Sequence, residues 1–265
     1  MTKTVAIVGC GYVGQAMARL FERAHDVTLY DPERGHNDRD AVSRCDLAVV
    51  CVPTPESTDG SADTSIVKSV VSWIESPLIL IKSTVPPGTT DALATQHQKA
   101  VHFSPEFIGE SRQFVPFWKY PNPTDASMHD FVIVGGPQAS KVLDFFLSVM
   151  SADTRFIACS RIEAELTKYM SNAFLATKVT FCNEFAKISE AFGVDYKKLR
   201  ELWLLDSRIG PDHTLIFYGQ RGFDGKCLPK DVNAIIHAAT AQGYDPGVLR
   251  AVVIANDGFK TSTNP

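Results

Sequence analysis

The chain has 265 residues, 45% hydrophobic and 21% charged, with 17 Gly and 15 Pro; that length fits one large or two modest domains with a sizeable core, and the composition excludes disordered, collagenous and coiled-coil chains. Twenty-six basic against 30 acidic side chains give a formal charge of −4, so no global positive field exists to hold a nucleic acid. No apolar run approaches the roughly 18 residues of a membrane span and the opening residues lack a signal-peptide pattern, so the expected setting is cytoplasmic, without nucleic-acid or membrane partners.

In chain order, the β-branched run Thr4–Val8 meets at once Gly9-Cys10-Gly11-Tyr12-Val13-Gly14 and then an amphipathic stretch over 15–23. That succession reads as strand, glycine turn, helix. A second strand over 27–30 ends on Asp31, and a third over 47–52 follows a polar segment. Short apolar runs at 78–82, 101–103 and 131–134 predict three more strands, and helix-period patterns fall at 64–75, 90–98 and 139–149. Strands alternating with helices predict an α/β fold: a Rossmann-type doubly wound parallel sheet, covered on both faces and spanning 1–160.

From 161 onward helical periodicity takes over, which predicts a smaller all-helical domain over 161–265 built on one long helix. Ile162, Leu166, Tyr169, Ala173, Thr177, Phe181, Phe185, Ile188 and Phe192 follow at steps of three or four, with Gly193 placed to end the helix. A helix of about 30 residues, roughly 45 Å long, suits an interface, and a homodimer through 161–192 is expected. Shorter helices are predicted at 195–204 with Asp195 as N-cap, at 230–242 and at 246–258. The Gly-rich loop over 206–226 has a length usual for functional loops.

A glycine triplet alone is a weak signal. Here it follows a strand, opens a helix, and precedes by 22 positions an acid at the end of the second strand, the pattern of a dinucleotide site. Gly9 permits the tight turn, Gly11 lets backbone approach a pyrophosphate, Gly14 allows close packing of helix on strand, and the helix N-terminus offers partial positive charge. Asp31 can accept from both ribose hydroxyls and would repel a 2′-phosphate, which favours NAD over NADP; Arg34 and His36 lean the other way.

The six cysteines (Cys10, Cys45, Cys51, Cys159, Cys182, Cys227) are scattered, with no C-x-x-C pair and no metal-ligand spacing, so neither a disulfide framework nor a metal site is expected. Cys227 stands apart in Gly222-Phe223-Asp224-Gly225-Lys226-Cys227-Leu228-Pro229-Lys230-Asp231, where Pro229 suits the start of a helix. A thiol at a helix N-terminus beside Lys226 and Lys230 favours the thiolate. A lone cysteine in a glycine loop is more often a bystander, and Glu165, Lys168 and Asn172, spaced by three and four, read most simply as a solvated polar face. A lysine and an amide one turn apart can also stabilise a developing oxyanion.

Taken together, the chain resembles the nucleotide-sugar dehydrogenases, the UDP-glucose/GDP-mannose dehydrogenase family. The resemblance rests on Val8 through Gly14, Cys51-Val52-Pro53-Thr54-Pro55, Lys82-Ser83-Thr84-Val85-Pro86-Pro87-Gly88, Ser104-Pro105-Glu106-Phe107, Glu165 through Lys168-Tyr169 to Asn172-Ala173-Phe174, Asn183-Glu184, Arg208-Ile209-Gly210 and the Cys227 segment, in this order along nearly the whole chain. It implies four-electron oxidation of a nucleotide sugar's primary alcohol to a carboxylate, UDP-glucose being the leading substrate, with two NAD consumed in turn. It casts Cys227 as the nucleophile that captures the aldehyde as a thiohemiacetal and then carries a thioester. Glu106 becomes the base that activates water, Thr84 and Asp231 hold the water or substrate hydroxyl, and Lys168 and Asn172 stabilise alkoxide and oxyanions.

The same resemblance implies cofactor contacts from Gly9, Gly11, Tyr12, Val13, Gly14, Asp31, Val52, Pro53, Thr54, Thr84, Glu110 and Lys230. Substrate contacts are implied for Glu106, Phe107, Lys168, Asn172, Phe217, Tyr218, Gly222, Phe223 and Gly225, with Arg208 reaching the substrate phosphates across a dimer interface.

The chain also departs from the family. Members are longer and continue into a further α/β domain that grips the nucleotide, whereas this sequence ends at Pro265, and its segment between Asp31 and Asp46 is short. Asp224 stands where a glycine is usual, and Gly109 where a larger residue is. Weaker or altered substrate selection is therefore expected, and GDP-mannose and N-acetylated UDP-sugars stay open as substrates. Two other readings follow: a two-electron β-hydroxyacid-type dehydrogenase, which also joins a nucleotide domain to a helical one, and a non-catalytic NAD-binding protein or subunit completed by a partner.

Overall fold

The structure, a computed structural model, describes residues 2–109 and 124–261. Two compact units divide the chain within one continuous helix, the first ending at Lys168 and the second resuming at Tyr169.

In the first unit, β1 (Thr4–Val8), β2 (Asp26–Tyr30), β3 (Leu47–Val50), β4 (Leu78–Ile81), β5 (Val101–Phe103), β6 (Phe131–Gly135) and β7 (Arg155–Cys159) form one sheet in the order β2-β1-β3-β4-β5-β6-β7. Its helices are α1 (Tyr12–Phe21), α2 (Arg39–Ser43), α3 (Ser65–Trp73), α4 (Thr89–His97) and α5 (Ala139–Phe146). Alternation along β1 sends Val5 and Ile7 to a core layer with Met17 and Phe21 of α1 and Phe146 of α5. Ala6 and Val8 point to the opposite layer, with Val67 and Val71 of α3 and Leu93 of α4. Both faces are covered, so β3 and β4 read as unbroken apolar runs. This is the doubly wound α/β architecture that the alternating pattern predicts.

Three local features differ from the sequence reading. Strand β7 was not expected; it is an edge strand, paired residue by residue with β6 from Phe131↔Arg155 to Gly135↔Cys159. The sheet is parallel except where β5 meets β6, an antiparallel junction at Phe103↔Gly135. The polar stretch after Asp31 holds a single 3-10 turn, Pro32–Arg34, and the short α2, whose N-cap Asp38 accepts the Ala41 amide at 2.8 Å.

The helix shared by the two units is α6 (Arg161–Ala191), 31 residues long. It stops where Gly193 takes a φ of +68°, with the Gly193 N–H donating to Glu190 O at 3.1 Å and the Val194 N–H to Ser189 O at 2.8 Å, a Schellman ending. In the second unit follow α7 (Tyr196–Trp203), capped by Asp195 accepting from the Lys197 amide at 3.0 Å, then α8 (Leu228–Ala241) and α9 (Gly247–Thr261). Ala173, Ala176 and Val179 of α6 pack with Phe223, Val232, Ile236 and Val252.

The nine-residue stripe on α6 does not act as one buried face. Tyr169 and Ala173 are buried, but Ile162, Leu166, Phe181, Phe185, Ile188 and Phe192 are exposed, as are Met170 and Phe174. Small side chains such as Ala173 and Ala176 face the core because they allow close approach, while the large apolar ones line the outside. Among the described residues no helix is long and apolar enough to cross a membrane, and no group of His, Cys, Asp and Glu could hold a metal ion.

Candidate active site

The first unit builds a nucleotide cradle from its glycine turn. Gly9 has a φ of +91°, and a Cβ there would stand 2.8 Å from Cys51 O; a Cβ on Gly14 would stand 1.8 Å from Gly9 O. Both glycines are therefore demanded by backbone approach. At Gly11, the N-cap of α1, a Cβ would meet nothing within 4 Å. The space over the helix end is open, and the first amides of a helix have no partner inside it. Asp31 is tied to this turn: its Oδ2 accepts the Cys10 amide at 2.8 Å and lies 3.8 Å from Arg34 Nε. An open space over the helix end, first-turn amides without partners inside the helix and an acid at the end of β2 tied to the glycine turn fit a dinucleotide. Beyond β3, Val52 and Pro53 lead to Thr54, whose hydroxyl donates to Thr84 O at 2.8 Å and joins two loops at the sheet's C-terminal edge.

At the same edge, Glu106 follows β5 and is buried. Its Oε1 accepts the Ile108 amide, and its Oε2 has no hydrogen-bond partner among the described residues but sits 3.6 Å from Lys82 Nζ. Lys82 is itself buried at the end of β4, donating to Pro105 O at 2.9 Å and Ser104 Oγ at 3.3 Å. In the sequence reading Lys82 stands within a motif but has no role; a lysine continuing a fully apolar strand was the available signal. Burial holds the nearby His129 imidazole below its ordinary pKa, with Glu106 pulling the other way. Lys168 Nζ donates to the main-chain oxygen of Glu106 and lies 5.6 Å from the Phe107 ring centroid.

Glu165 is not on a solvated face. It is wholly buried and accepts from Gly88 and Thr90 at the start of α4. The expected ridge of Glu165, Lys168 and Asn172 is thus three buried groups with separate partners.

The second unit carries the thiol. Cys227 is the N-cap of α8, with Pro229 in the first turn, and it alone of the six cysteines is exposed. Burial pushes the thiols of Cys10, Cys45, Cys51, Cys159 and Cys182 above their ordinary pKa, which leaves them protonated and inert. One turn into α8, Asp231 donates its amide to Cys227 O at 2.9 Å. Its carboxylate is buried, accepting from Asn172 Nδ2 at 2.5 Å and pairing with Lys230 Nζ at 2.5 Å.

The loop before Cys227 holds the other expected substrate residues. Phe223 is buried, Phe217 and Gly222 are partly exposed, and Tyr218 is exposed beneath the Arg221 guanidinium, 5.2 Å from its ring centroid. Gly225 has a φ of +87°. Asp224 is met by Lys260 of α9 at 3.4 Å, which offsets the added negative charge. Arg208 is exposed and forked onto Asp206, with Nη2 to Oδ2 at 2.6 Å and Nε to Oδ1 at 2.9 Å. Tyr12 is exposed and Val13 half-buried at the start of α1. Glu110 lies outside the described residues.

Two family models match. Residues 33–140 fit the NAD binding domain of the UDP-glucose/GDP-mannose dehydrogenase family, and residues 162–258 fit its central domain. The chain is 30% identical to UDP-glucose 6-dehydrogenase AglM of Haloferax volcanii, over 96% of this chain and 69% of the relative. The chain belongs to the UDP-glucose/GDP-mannose dehydrogenase family. Members of this family are NAD-dependent dehydrogenases, and its cofactor is NAD. A solved UDP-glucose dehydrogenase from Pyrobaculum islandicum superposes with a TM-score of 0.81 at 28% identity, over 97% of this chain and 68% of that one. The chain thus spans about two thirds of the length of these UDP-glucose dehydrogenases. Mycobacterium tuberculosis 3-hydroxyisobutyrate dehydrogenase shares the fold alone, with a TM-score of 0.67 at 16% identity, over 99% of this chain and 95% of that one.

Proposed function

We propose that this chain oxidises the primary alcohol of a nucleotide sugar, UDP-glucose first, to the carboxylate in two NAD-dependent steps joined by a covalent intermediate on Cys227. The observation that carries the reading is an exposed thiol at the N-terminus of α8, one turn before an aspartate bonded to Asn172. The named relatives support UDP-glucose as substrate. In this reading residues 1–160 bind the cofactor and residues 161–265 capture the substrate and pair two chains.

When bound, NAD supplies the hydride acceptor for each oxidation. Gly9, Gly11, Gly14 and the N-terminus of α1 would hold its pyrophosphate and Asp31 its adenosine ribose, with Tyr12, Val13, Val52, Pro53, Thr54, Thr84, Glu110 and Lys230 as further contacts. The alcohol first loses its hydroxyl proton and a hydride from carbon, the alkoxide being steadied by Lys168 and Asn172. The Cys227 thiolate then adds to the aldehyde carbon, and the resulting oxyanion takes a proton to give a thiohemiacetal. That carbon's remaining hydride leaves together with the hydroxyl proton, producing the thioester. Water, giving a proton to Glu106 and held by Thr84 and Asp231, adds to the thioester carbon; the C–S bond breaks and Cys227 departs as thiolate. The sum is R–CH2OH + 2 NAD⁺ + H2O → R–COO⁻ + 2 NADH + 3 H⁺. Phe107, Phe217, Tyr218, Gly222, Phe223 and Gly225 would shape the sugar-nucleotide pocket.

NADH counted against UDP-glucuronate tests this reading. Two NADH per carboxylate are expected, none with Cys227→Ala, and a covalent adduct on Cys227 in Glu106→Gln detectable by intact mass. Turnover that survives Cys227→Ala would defeat the mechanism. The near-complete fold match to a 3-hydroxyisobutyrate dehydrogenase favours, as second reading, a two-electron reaction; one NADH with a carbonyl product would select it. NAD binding without any turnover would select the non-catalytic reading.

The exposed apolar face of α6, from Ile162 to Phe192, supports a homodimer in which Arg208 serves the partner's substrate phosphates, since large apolar patches on a monomer mark contact surfaces. Phe174→Asp is expected to give a monomer by light scattering; an unchanged mass would remove this assignment.

A further inference from the structure

The main chain of the segment leading to Cys227 is gripped at Phe223. Asn256 lies on α9 and is 2% exposed. Its Oδ1 accepts the Phe223 amide at 2.7 Å, and its Nδ2 donates to Phe223 O at 3.1 Å. A single side-chain amide therefore satisfies both main-chain groups of one residue, as a neighbouring strand would. The Phe223 ring, 4% exposed, is locked into the core of the helical unit beside Val232 and Val252. Gly222 makes the clamp possible: it has a φ of +80°, and a Cβ there would stand 2.4 Å from Asn256 Oδ1. A buried amide is retained at a cost unless its groups are bonded, and both groups of this one go to the chain that approaches the thiol.

Beyond the clamp, Asp224, Gly225 and Lys226 are exposed, Asp224 reaching Lys260 of α9 at 3.4 Å, and the Cys227 carbonyl accepts the Asp231 amide. Three residues thus separate two main-chain anchors. Where the first anchor stands decides how the thiol meets the end of α8, and with it the stabilisation that the helix N-terminus gives a thiolate.

We infer that Asn256 is a positioning residue for Cys227, acting by clamping the Phe223 main chain with Gly222 as its required neighbour. Its bearing on turnover rests on the proposed cysteine chemistry, but its effect on the thiol does not.

The test is the rate of Cys227 alkylation by iodoacetamide near neutral pH, located by peptide mass spectrometry on the full chain. Asn256→Ala and Gly222→Ala are each expected to slow alkylation about fivefold, the scale of a lost helix-end effect. Asn256→Asp, which keeps the acceptor for the Phe223 amide, falls between, and the double variant is no slower than either single one. NAD affinity stays at the parent value throughout, reporting an intact first unit. Alkylation within about twofold of the parent in the folded variants, whatever happens to Tm, would overturn the inference and leave Asn256 a packing residue. Should Asn256→Ala not fold, Gly222→Ala decides, because it leaves the buried amide in place. If the parent makes NADH, kcat falls in the variants while KM for NAD holds; if the parent makes none, the proposed function fails while the alkylation result still judges the clamp.

Discussion

Glu165 Oε1 accepts both the amide of Thr90, at 2.8 Å, and its hydroxyl, at 2.6 Å. Its Oε2 takes the Gly88 amide at 2.6 Å, so one buried carboxylate near the start of α6 closes the N-terminus of α4. The negative group meets three donors at the positive end of a helix. Lys168 follows three residues later on the same helix, so this contact also sets where that ammonium stands relative to the Ser104–Glu106 turn.

Glu165→Gln gives the first prediction. Burial pushes the Glu165 pKa above its ordinary 4.5, against the bonds from Thr90 and Gly88. The folded state therefore holds more protons than the unfolded one in a window starting near that value, and stability falls as pH rises through it. Glutamine lacks this fall but presents an NH2 to the donors around it, costing about 1–2 kcal/mol at every pH. Urea midpoints should show the parent's advantage largest at the acid side of the window and narrowing above it. An advantage that widens with pH would contradict the burial argument.

The glycine turn separates stability from cofactor affinity. Gly14→Ala drives a Cβ into Gly9 O and should unfold the first unit or lower its Tm sharply. Gly11→Ala meets no protein atom within 4 Å, so the Tm without cofactor should hold while the stabilisation by added NAD is lost. Equal Tm losses in both variants would refute an open cradle at Gly11.

Asp231→Ala removes the buried carboxylate that Asn172 Nδ2 and Lys230 Nζ both meet. Breaking one side of such a pair costs about 3 kcal/mol, and the denaturant midpoint should fall accordingly. In Asn172→Ala the carboxylate keeps Lys230 and the loss should be nearer 1 kcal/mol, about one hydrogen bond. Similar losses in both would show that Lys230 contributes nothing to the pair.

His213 introduces an acid-sensitive point in the loop before Cys227. It is buried with a φ of +60°, and burial lowers its pKa from 6.5 to about 4. The unfolded state binds the extra proton between those values, so stability is lost as pH falls from 6.5 toward 4. Asparagine tolerates that backbone, and His213→Asn should flatten this part of the stability profile. A parallel acid loss in the variant would assign the effect elsewhere.

Local chemistry explains what was legible before any coordinates. The turn from Gly9 to Gly14, the Asp195 cap, the Gly193 stop and the Pro229 helix start are each decided by a few adjacent residues. Sheet alternation was equally legible, because runs such as Leu78–Ile81 can be paid for only by burial on both faces. Strand β7 escaped notice because residues 155–159 are half exposed and earn their strand geometry from β6 alone.

By itself, then, the sequence determined the doubly wound fold, the long helix and the family, since these follow from periodicity and short-range motifs carried in fixed order. Only tertiary structure decided that Glu165 is buried, that Lys82 stands beside Glu106, and that Asn256 grips Phe223. Helical spacing reports which side chains share a face; what that face meets is set by elements 33 to 77 residues distant, and no pattern local to either partner encodes their meeting.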